Sequence, residues 1–282
     1  MSQETIFILE ALLFGLVIGS FLNVCIYRLP LQKSLGGRSF CPVCAQQIPW
    51  YDNIPVLSFL ILRGRCRFCR GRISLQYPLV EIIAGGLSVL TLLHVSYELD
   101  RYFIWYLLFV APLIVLSFID LHHRILPDII TLPGIVAGVG TVLILKWPFW
   151  KEALIYSSAG VVVGGGALLL LGTFYTLIRK REGMGGGDVK LCAMLGAFLG
   201  WKAMVFVFLI SSVLAILYAV VSLLMPRAES RTKEAGPMII PYGPFLAMAA
   251  LLFYFYGLEI TTFYFSLVGI SSNPVFTPIT PY

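Results

Sequence analysis

The sequence predicts an all-α polytopic membrane protein of about eight transmembrane helices, with a small cytoplasmic insertion between the first two. Three observations predict it. Hydrophobic residues make up 59% of the chain and charged ones 12%, whereas a soluble domain carries about a quarter charged residues. The apolar residues gather in blocks, and a bilayer takes roughly 20 apolar residues per helix. The Lys and Arg residues then sort to one side of those blocks, as the positive-inside rule requires.

The blocks are Ile6 to Tyr27, Tyr77 to Tyr97, Phe103 to Ile119, Ile129 to Leu145, Ala153 to Ile178, Val189 to Gly200, Ala203 to Met225 and Met238 to Gly257. The first follows Ser2, Gln3 and Glu4 rather than a basic stretch and ends without a small-residue cleavage site, so it reads as a retained helix and not a signal peptide. Val189 to Gly200 is short for a span, and a re-entrant segment competes with it. Charge decides for a crossing. With the N-terminus outside and all eight blocks spanning, only Arg101, Lys146, Lys151 and Lys202 of the 20 Lys and Arg face outward. A sixth block that did not cross would move Arg227, Arg231 and Lys233 outside as well. The net charge of +6 therefore reports topology beside the lipid bilayer, and no nucleic acid partner is expected.

The predicted organisation is a first transmembrane helix over 1–27, an insertion over 28–76, a transmembrane bundle over 77–257 and a non-cytoplasmic tail over 258–282. The tail holds one charge, Glu259, among several Pro and aromatic residues. No repeat of 20 to 50 residues stands out, which argues against a solenoid.

The insertion contains Cys41-Pro42-Val43-Cys44 and, after 21 intervening residues, Cys66-Arg67-Phe68-Cys69. Two residues between cysteines let both thiolates turn onto one ion, and two such knuckles supply the four ligands that Zn²⁺ prefers. The reading is a zinc-ribbon-like element with structural zinc, whose binding would supply much of the folding energy of so small a segment. Iron or a redox pair are the rivals. Disulfides would need an oxidising compartment, and the eight basic residues from Arg28 to Arg72 place the loop in the cytoplasm. Cys25 and Cys192 lie in apolar blocks and read as small buried hydrophobes.

The third block ends in Asp120, followed by a very short inward turn to Asp128; Gly183 to Gly187 lead straight into Asp188 and the sixth block. Three carboxylates thus meet the membrane from one side. An ionisable group at membrane depth costs about 2.5–3.5 kcal/mol on insertion scales and marks a functional site by default. Two carboxyls that share a site hold one proton between them, so one can activate water while the other polarises a carbonyl. Asp120 and Asp188 are the expected catalytic pair. Asp120 ends a helix, where an anion opposes the dipole, so capping explains it poorly. Asp188 has a capping alternative, and Asp128, which opens a helix after Pro127, is expected to cap it. Gly185 and Gly187 support the site by permitting unusual dihedrals and close approach of a substrate strand. His122 and His123 read as interfacial residues, and the glycine run lacks the strand context of a nucleotide fingerprint. Ser20 and Asn23 are expected to hydrogen-bond between helices, while Glu10 and Glu81 remain open between a polar contact and a site.

In this order, GSFLNV at 19–24, the two CxxC knuckles, DNIP at 52–55, YPLVE at 77–81, the Asp120 to Asp128 segment, GMGGGD at 183–188 and PYGP at 241–244 resemble the bacterial prepilin peptidases, over nearly the whole chain. The resemblance implies an intramembrane aspartic endopeptidase that removes the basic leader of prepilin and pseudopilin precursors after a glycine, at the cytoplasmic face of the inner membrane. By motif match Asp120 and Asp188 take the catalytic positions and Asp128 a supporting one. It also implies N-methylation of the new N-terminus with S-adenosylmethionine, an activity associated with the insertion. Two other classes compete: a proton- or cation-coupled transporter, which leaves the four cysteines unexplained, and an interaction scaffold, which leaves the aspartates unexplained.

Overall fold

The computed structural model describes residues 2–180, 185–224 and 241–268. Among these there are helices and no strands; the only extended pairing is two isolated antiparallel bridges, Phe40 with Gln47 and Arg65 with Arg72. Seven helical stretches are long and apolar enough to cross a membrane, and the protein is a multi-pass membrane protein. It divides into two compact units, Met1–Ile119 and Asp120–Tyr282.

In the first unit, α1 (Gln3–Arg28) opens at Ser2, whose side chain accepts the Thr5 N–H, and carries Glu4 in its first turn and Arg28 in its last, both matched to the helix dipole. It packs on α3 (Gln76–His94) along small residues. A Cβ on Gly15 would lie 2.8 Å from the Ala84 carbonyl oxygen, and one on Gly19 2.7 Å from the Glu81 Cα. Small residues four apart let membrane helices approach backbone to backbone, where packing and polar contacts replace the hydrophobic drive. Ser88 then donates to the Ala11 carbonyl (2.6 Å) and meets the Tyr102 hydroxyl, while Tyr106 donates to the Ala84 carbonyl (3.1 Å). Those tyrosines lie on one continuous helix built from α4 (Leu99–Trp105), a π-helical turn (Tyr106–Val110) and α5 (Ala111–His123). Between α1 and α3 the insertion holds a 3₁₀ turn (Trp50–Asn53) and the short α2 (Leu57–Ile61).

The second unit contains α6 (Asp128–Leu145), α7 (Trp150–Arg179), α8 (Gly186–Leu199), α9 (Trp201–Leu224) and α10 (Gly243–Val268). The sixth apolar block is α8, only 14 residues long, with Leu191 through Phe198 all buried. It is apolar on every side because α6, α7, α9 and α10 all pack on it. Two glycine rows make room. Cβ atoms at Gly160 and Gly196 would overlap each other's backbone carbonyls, and one at Gly138 would lie 2.8 Å from the Ala197 Cβ. Cys192 is fully buried here and Cys25 nearly so, as expected of small hydrophobes.

The last helix departs from the expected block. Its predicted start at Met238 lies outside the described residues, and it continues past Gly257 through Glu259 to Val268. The first eleven residues read as a tail are therefore helical. The reason is local: the backbone bends at Tyr256 (φ −127°), where the apolar run fades, but Thr261 and Thr262 return their hydroxyls to the carbonyls of Gly257 and Leu258.

Candidate active site

Asp120 lies near the C-terminal end of α5, 6% exposed. Its Oδ2 accepts the backbone N–H of Gly243 at 3.0 Å. Gly243 is the first residue of α10, so the carboxylate meets a helix N-terminus with its unsatisfied N–H groups and positive dipole end. A Cβ on Gly243 would sit 2.7 Å from that oxygen. The turn before it is tied down by the Tyr242 hydroxyl against Ser211 of α9 (2.8 Å). Gly243 contributes directly to the site and was not singled out from sequence; its signal was a glycine between two prolines at the foot of an apolar block.

Asp188 stands in the first turn of α8, part-buried. It is close enough for the charge of Asp120 to act on its carboxyl. The expected pair therefore shares one locality within the second unit, despite its separation in sequence. Gly185 is the N-cap, and its carbonyl accepts the Asp188 N–H at 3.1 Å. Capping by the Asp188 side chain does not occur. Gly187 faces the loop after α5, where a Cβ would be 3.0 Å from that of Leu126. Gly187 thus keeps α8 close against the segment that follows Asp120. Gly183, in the same run, lies outside the described residues.

Asp128 does not join the pair, nor does it cap α6. The N-cap is Pro127, with no side-chain cap. Instead both carboxylate oxygens accept from the Lys190 ammonium at 2.7 and 2.8 Å. The reason is reach: Lys190 is two residues past Asp188, and its charge outcompetes a backbone N–H. The bond pins the start of α6 to the start of α8. His122 and His123 are exposed at the end of α5.

In the first unit, Cys41, Cys44, Cys66 and Cys69 place their sulfurs within 4.8 Å of one another, an arrangement compatible with a metal ion. None is in a disulfide. The two knuckles repeat one backbone pattern. Cys41 donates to the Gln46 carbonyl and Cys66 to that of Gly71, while Ala45 and Arg70 donate back to Cys41 and Cys66 from left-handed conformations (φ 56° and 59°). Burial opposes ionisation of Cys41, yet the N–H groups of Cys44 and Val43 and the thiols of Cys44 and Cys66 bring its pKa down to about 7. The Gly71 N–H favours a thiolate at Cys69, but burial and the three other thiols push its pKa up to about 11. Four thiols contending for one negative charge is a conflict that a bound dication removes, since it deprotonates its thiol ligands outright.

Glu81 and Asn23 resolve as interhelical contacts of the first unit. Asn23 Nδ2 donates to the Tyr77 carbonyl at 3.0 Å. Glu81 Oε2 accepts the Val56 N–H at 2.7 Å, and the Ser20 hydroxyl also bonds to this carboxyl. Glu10 is exposed.

Residues 13–95 match the Bacterial Peptidase A24 N-terminal domain, and residues 107–220 match the Type IV leader peptidase family. Curated relatives described as prepilin leader peptidase/N-methyltransferase include one from Stutzerimonas stutzeri, 36% identical over 93% of this chain and 95% of the relative. One from Pseudomonas aeruginosa is 33% identical over 95% and 97%. A longer one from Myxococcus xanthus is 42% identical over 79% of this chain and 63% of the relative. No solved structure matches.

Proposed function

The chain belongs to the type IV leader peptidase family, and from that premise we propose that Asp120 and Asp188 form the hydrolytic pair of an endopeptidase acting on prepilin-like precursors. It is a protease with an N-methyltransferase activity, and the transporter alternative finds no support.

The observation that carries the hydrolytic role is the convergence of Asp120 and Asp188, with the charge of one acting on the other. Two carboxyls that share a site hold a single proton between them and titrate as a unit. Asp120 Oδ2 is held by the Gly243 N–H, so Oδ1 is the oxygen available to a water. The ionised member takes a proton from that water as it attacks the scissile carbonyl, and the protonated member donates to the carbonyl oxygen. No covalent intermediate is needed. Asp128 and Lys190 hold α8 in register, Gly185 caps its start, and Gly187 allows the close approach of α8 to the segment that follows Asp120. The basic loops argue for the cytoplasmic side of the inner membrane, both for this end of the bundle and for the insertion.

The insertion's metal is structural zinc. Four sulfurs placed tetrahedrally at the Zn–S distance lie about 3.8 Å apart, and the Cys41 and Cys69 sulfurs are 3.8 Å apart. All four ligands are thiolates, so the site is closed and holds the fold together. S-adenosylmethionine, when bound, would supply an electrophilic methyl group for the newly exposed N-terminal amine.

The test is to co-express a prepilin with the wild type, Asp120→Asn or Asp188→Asn and to weigh precursor and product. Each variant is expected to leave the precursor intact. Leader loss persisting in both sinks the pair.

A further inference from the structure

The polar insertion folds back against the transmembrane helices. The Val56 N–H donates to the Glu81 carboxyl at 2.7 Å, and the Ser20 hydroxyl bonds to the same group. Glu81 is five residues into α3, and Ser20 lies eight residues before the end of α1. At about 1.5 Å of rise per residue, α2 therefore begins roughly 8 Å inside one helix end and roughly 12 Å inside the other. It lies beside the spans, not beyond them. At the same level α3 turns Leu79 and Ile82 outward, 49% and 55% exposed, and such residues on a membrane helix face lipid.

The side chains of α2 suit that level. Ser58 points inward, where its hydroxyl donates to the Tyr51 carbonyl at 2.9 Å and accepts the Ile54 N–H at 3.0 Å. Leu57, Leu60 and Ile61, at i, i+3 and i+4, share another side and are 50%, 64% and 66% exposed. Trp50, in the 3₁₀ turn just before, is 80% exposed, and tryptophan rings settle at headgroup level.

The charge beside this face has one sign. Asp52 is the only acidic residue between 28 and 76, and Arg67 already holds it. Arg63, Arg65, Arg70 and Arg72 are exposed, and none forms an ion pair among the described residues. Two of them are forced together. The Cys66 N–H donates to the Gly71 carbonyl and the Ile73 N–H to that of Gly64, so Arg65 and Arg72 stand directly opposite each other in the bridge between these bonds. This is the non-hydrogen-bonded kind of pair, with Cα atoms about 4.5 Å apart. Like charges so placed destabilise the pairing. An anion between them reverses the effect, and guanidiniums grip phosphate through paired N–H groups. The chain also fixes their height. Arg65 follows α2 by four residues and Arg72 precedes α3 by four, a reach of at most about 14 Å.

We propose that the insertion docks on the adjoining membrane leaflet, with Leu57, Leu60 and Ile61 set among the acyl chains and Arg65 and Arg72 clasping the phosphodiester of an anionic phospholipid. Lipid is the occupant because the apolar face lies level with the lipid-facing residues of α3, and because interfacial binding combines buried apolar area with attraction of basic residues to acidic headgroups. α2 is then held from one side by Glu81 and from the other by the leaflet. The docking depends on neither the hydrolytic pair nor methyl transfer.

The test uses the full-length protein in nanodiscs of equal phosphatidylglycerol and phosphatidylcholine. With p-benzoylphenylalanine in place of Leu60, photolysis is expected to add the mass of a phospholipid to the peptide carrying position 60. An adduct to residues 225–240, an adduct to a second copy of the chain, or no adduct at all overturns the docking. Lipid retained on the protein is then identified by native mass spectrometry. The wild type is expected to retain phosphatidylglycerol in preference to phosphatidylcholine, and Arg65→Gln with Arg72→Gln to lower that preference about fivefold. Arg63→Gln with Arg70→Gln removes the same charge but spares the opposed pair, and is expected to keep most of the preference. Equal loss in the two double variants assigns the attraction to net charge and overturns the clasp. A wild type without preference overturns the anionic lipid. Zinc content equal to the wild type is expected in both variants and shows that the knuckles remain folded; the crosslink, made with every arginine in place, stands apart from that control.

Discussion

The backbone N–H of Gly243 donates to Oδ2 of Asp120 across 3.0 Å, joining residues 123 apart in sequence. The contact requires a residue with no side chain. Gly243→Ala would set a Cβ 2.7 Å from the carboxylate oxygen, and misplacing a catalytic group by about 1 Å costs roughly a hundredfold in rate. We expect leader cleavage to fall by about that factor while helical content, followed by circular dichroism, stays at the wild-type level. A variant that cleaves at the normal rate would show that Gly243 does not position Asp120.

Residues that act as a unit lose activity non-additively. Combining Asp120→Asn with Asp188→Asn is therefore expected to slow cleavage no further than either change alone, in single-turnover assays on a purified precursor. A double variant slower by the product of the two single effects would mean that the aspartates work independently.

The Asp128–Lys190 pair is partly solvated, at 56% and 39% side-chain exposure. Pairs of this kind contribute about 0.2–1 kcal/mol. Lys190→Met is expected to lower the cleavage rate a few-fold rather than abolish it, and exchanging the two residues (Asp128→Lys with Lys190→Asp) to recover part of the loss. Initial rates decide this. Complete inactivity of Lys190→Met would promote the lysine from a strut to a participant in the chemistry.

One zinc ion per chain is expected by elemental analysis, and Cys41→Ser with Cys66→Ser should release it. Because little else holds the segment together, limited proteolysis should then cut within residues 28–76, which the metal-bound form resists. Zinc content equal to the wild type would refute the four-thiolate site.

The α7–α8 contact is equally exacting. A Cβ on Gly160 would overlap the Gly196 carbonyl, and overpacking of this kind costs about 1–3 kcal/mol or more. Gly160→Ala should lower the melting temperature in detergent, whereas Gly140→Ala, where a Cβ meets nothing within 4 Å, should leave it unchanged. Equal melting of the two would argue against close backbone contact.

Much of the architecture was legible because hydropathy and charge report directly on spans. The two aspartates proposed as the hydrolytic pair could be picked out too, since an ionisable group at a membrane boundary is costly to keep and rarely lacks a role. Gly243 and Lys190 were not. Each acquires its meaning from a partner that is distant in sequence, and block counting gives no neighbour order. The capping expectation for Asp128 failed for the same reason, because the competing cation arrives from another helix.

The shortness of α8 has a consequence for the medium in which hydrolysis occurs. Fourteen residues rise about 21 Å, while the hydrocarbon layer is about 30 Å thick. At least one end of this helix must lie beneath the headgroups or pull them inward. Asp188 sits at one such end, where a carboxylate calls for hydration. A shortfall of ~9 Å at that end would leave room for water to reach the Asp188 carboxyl.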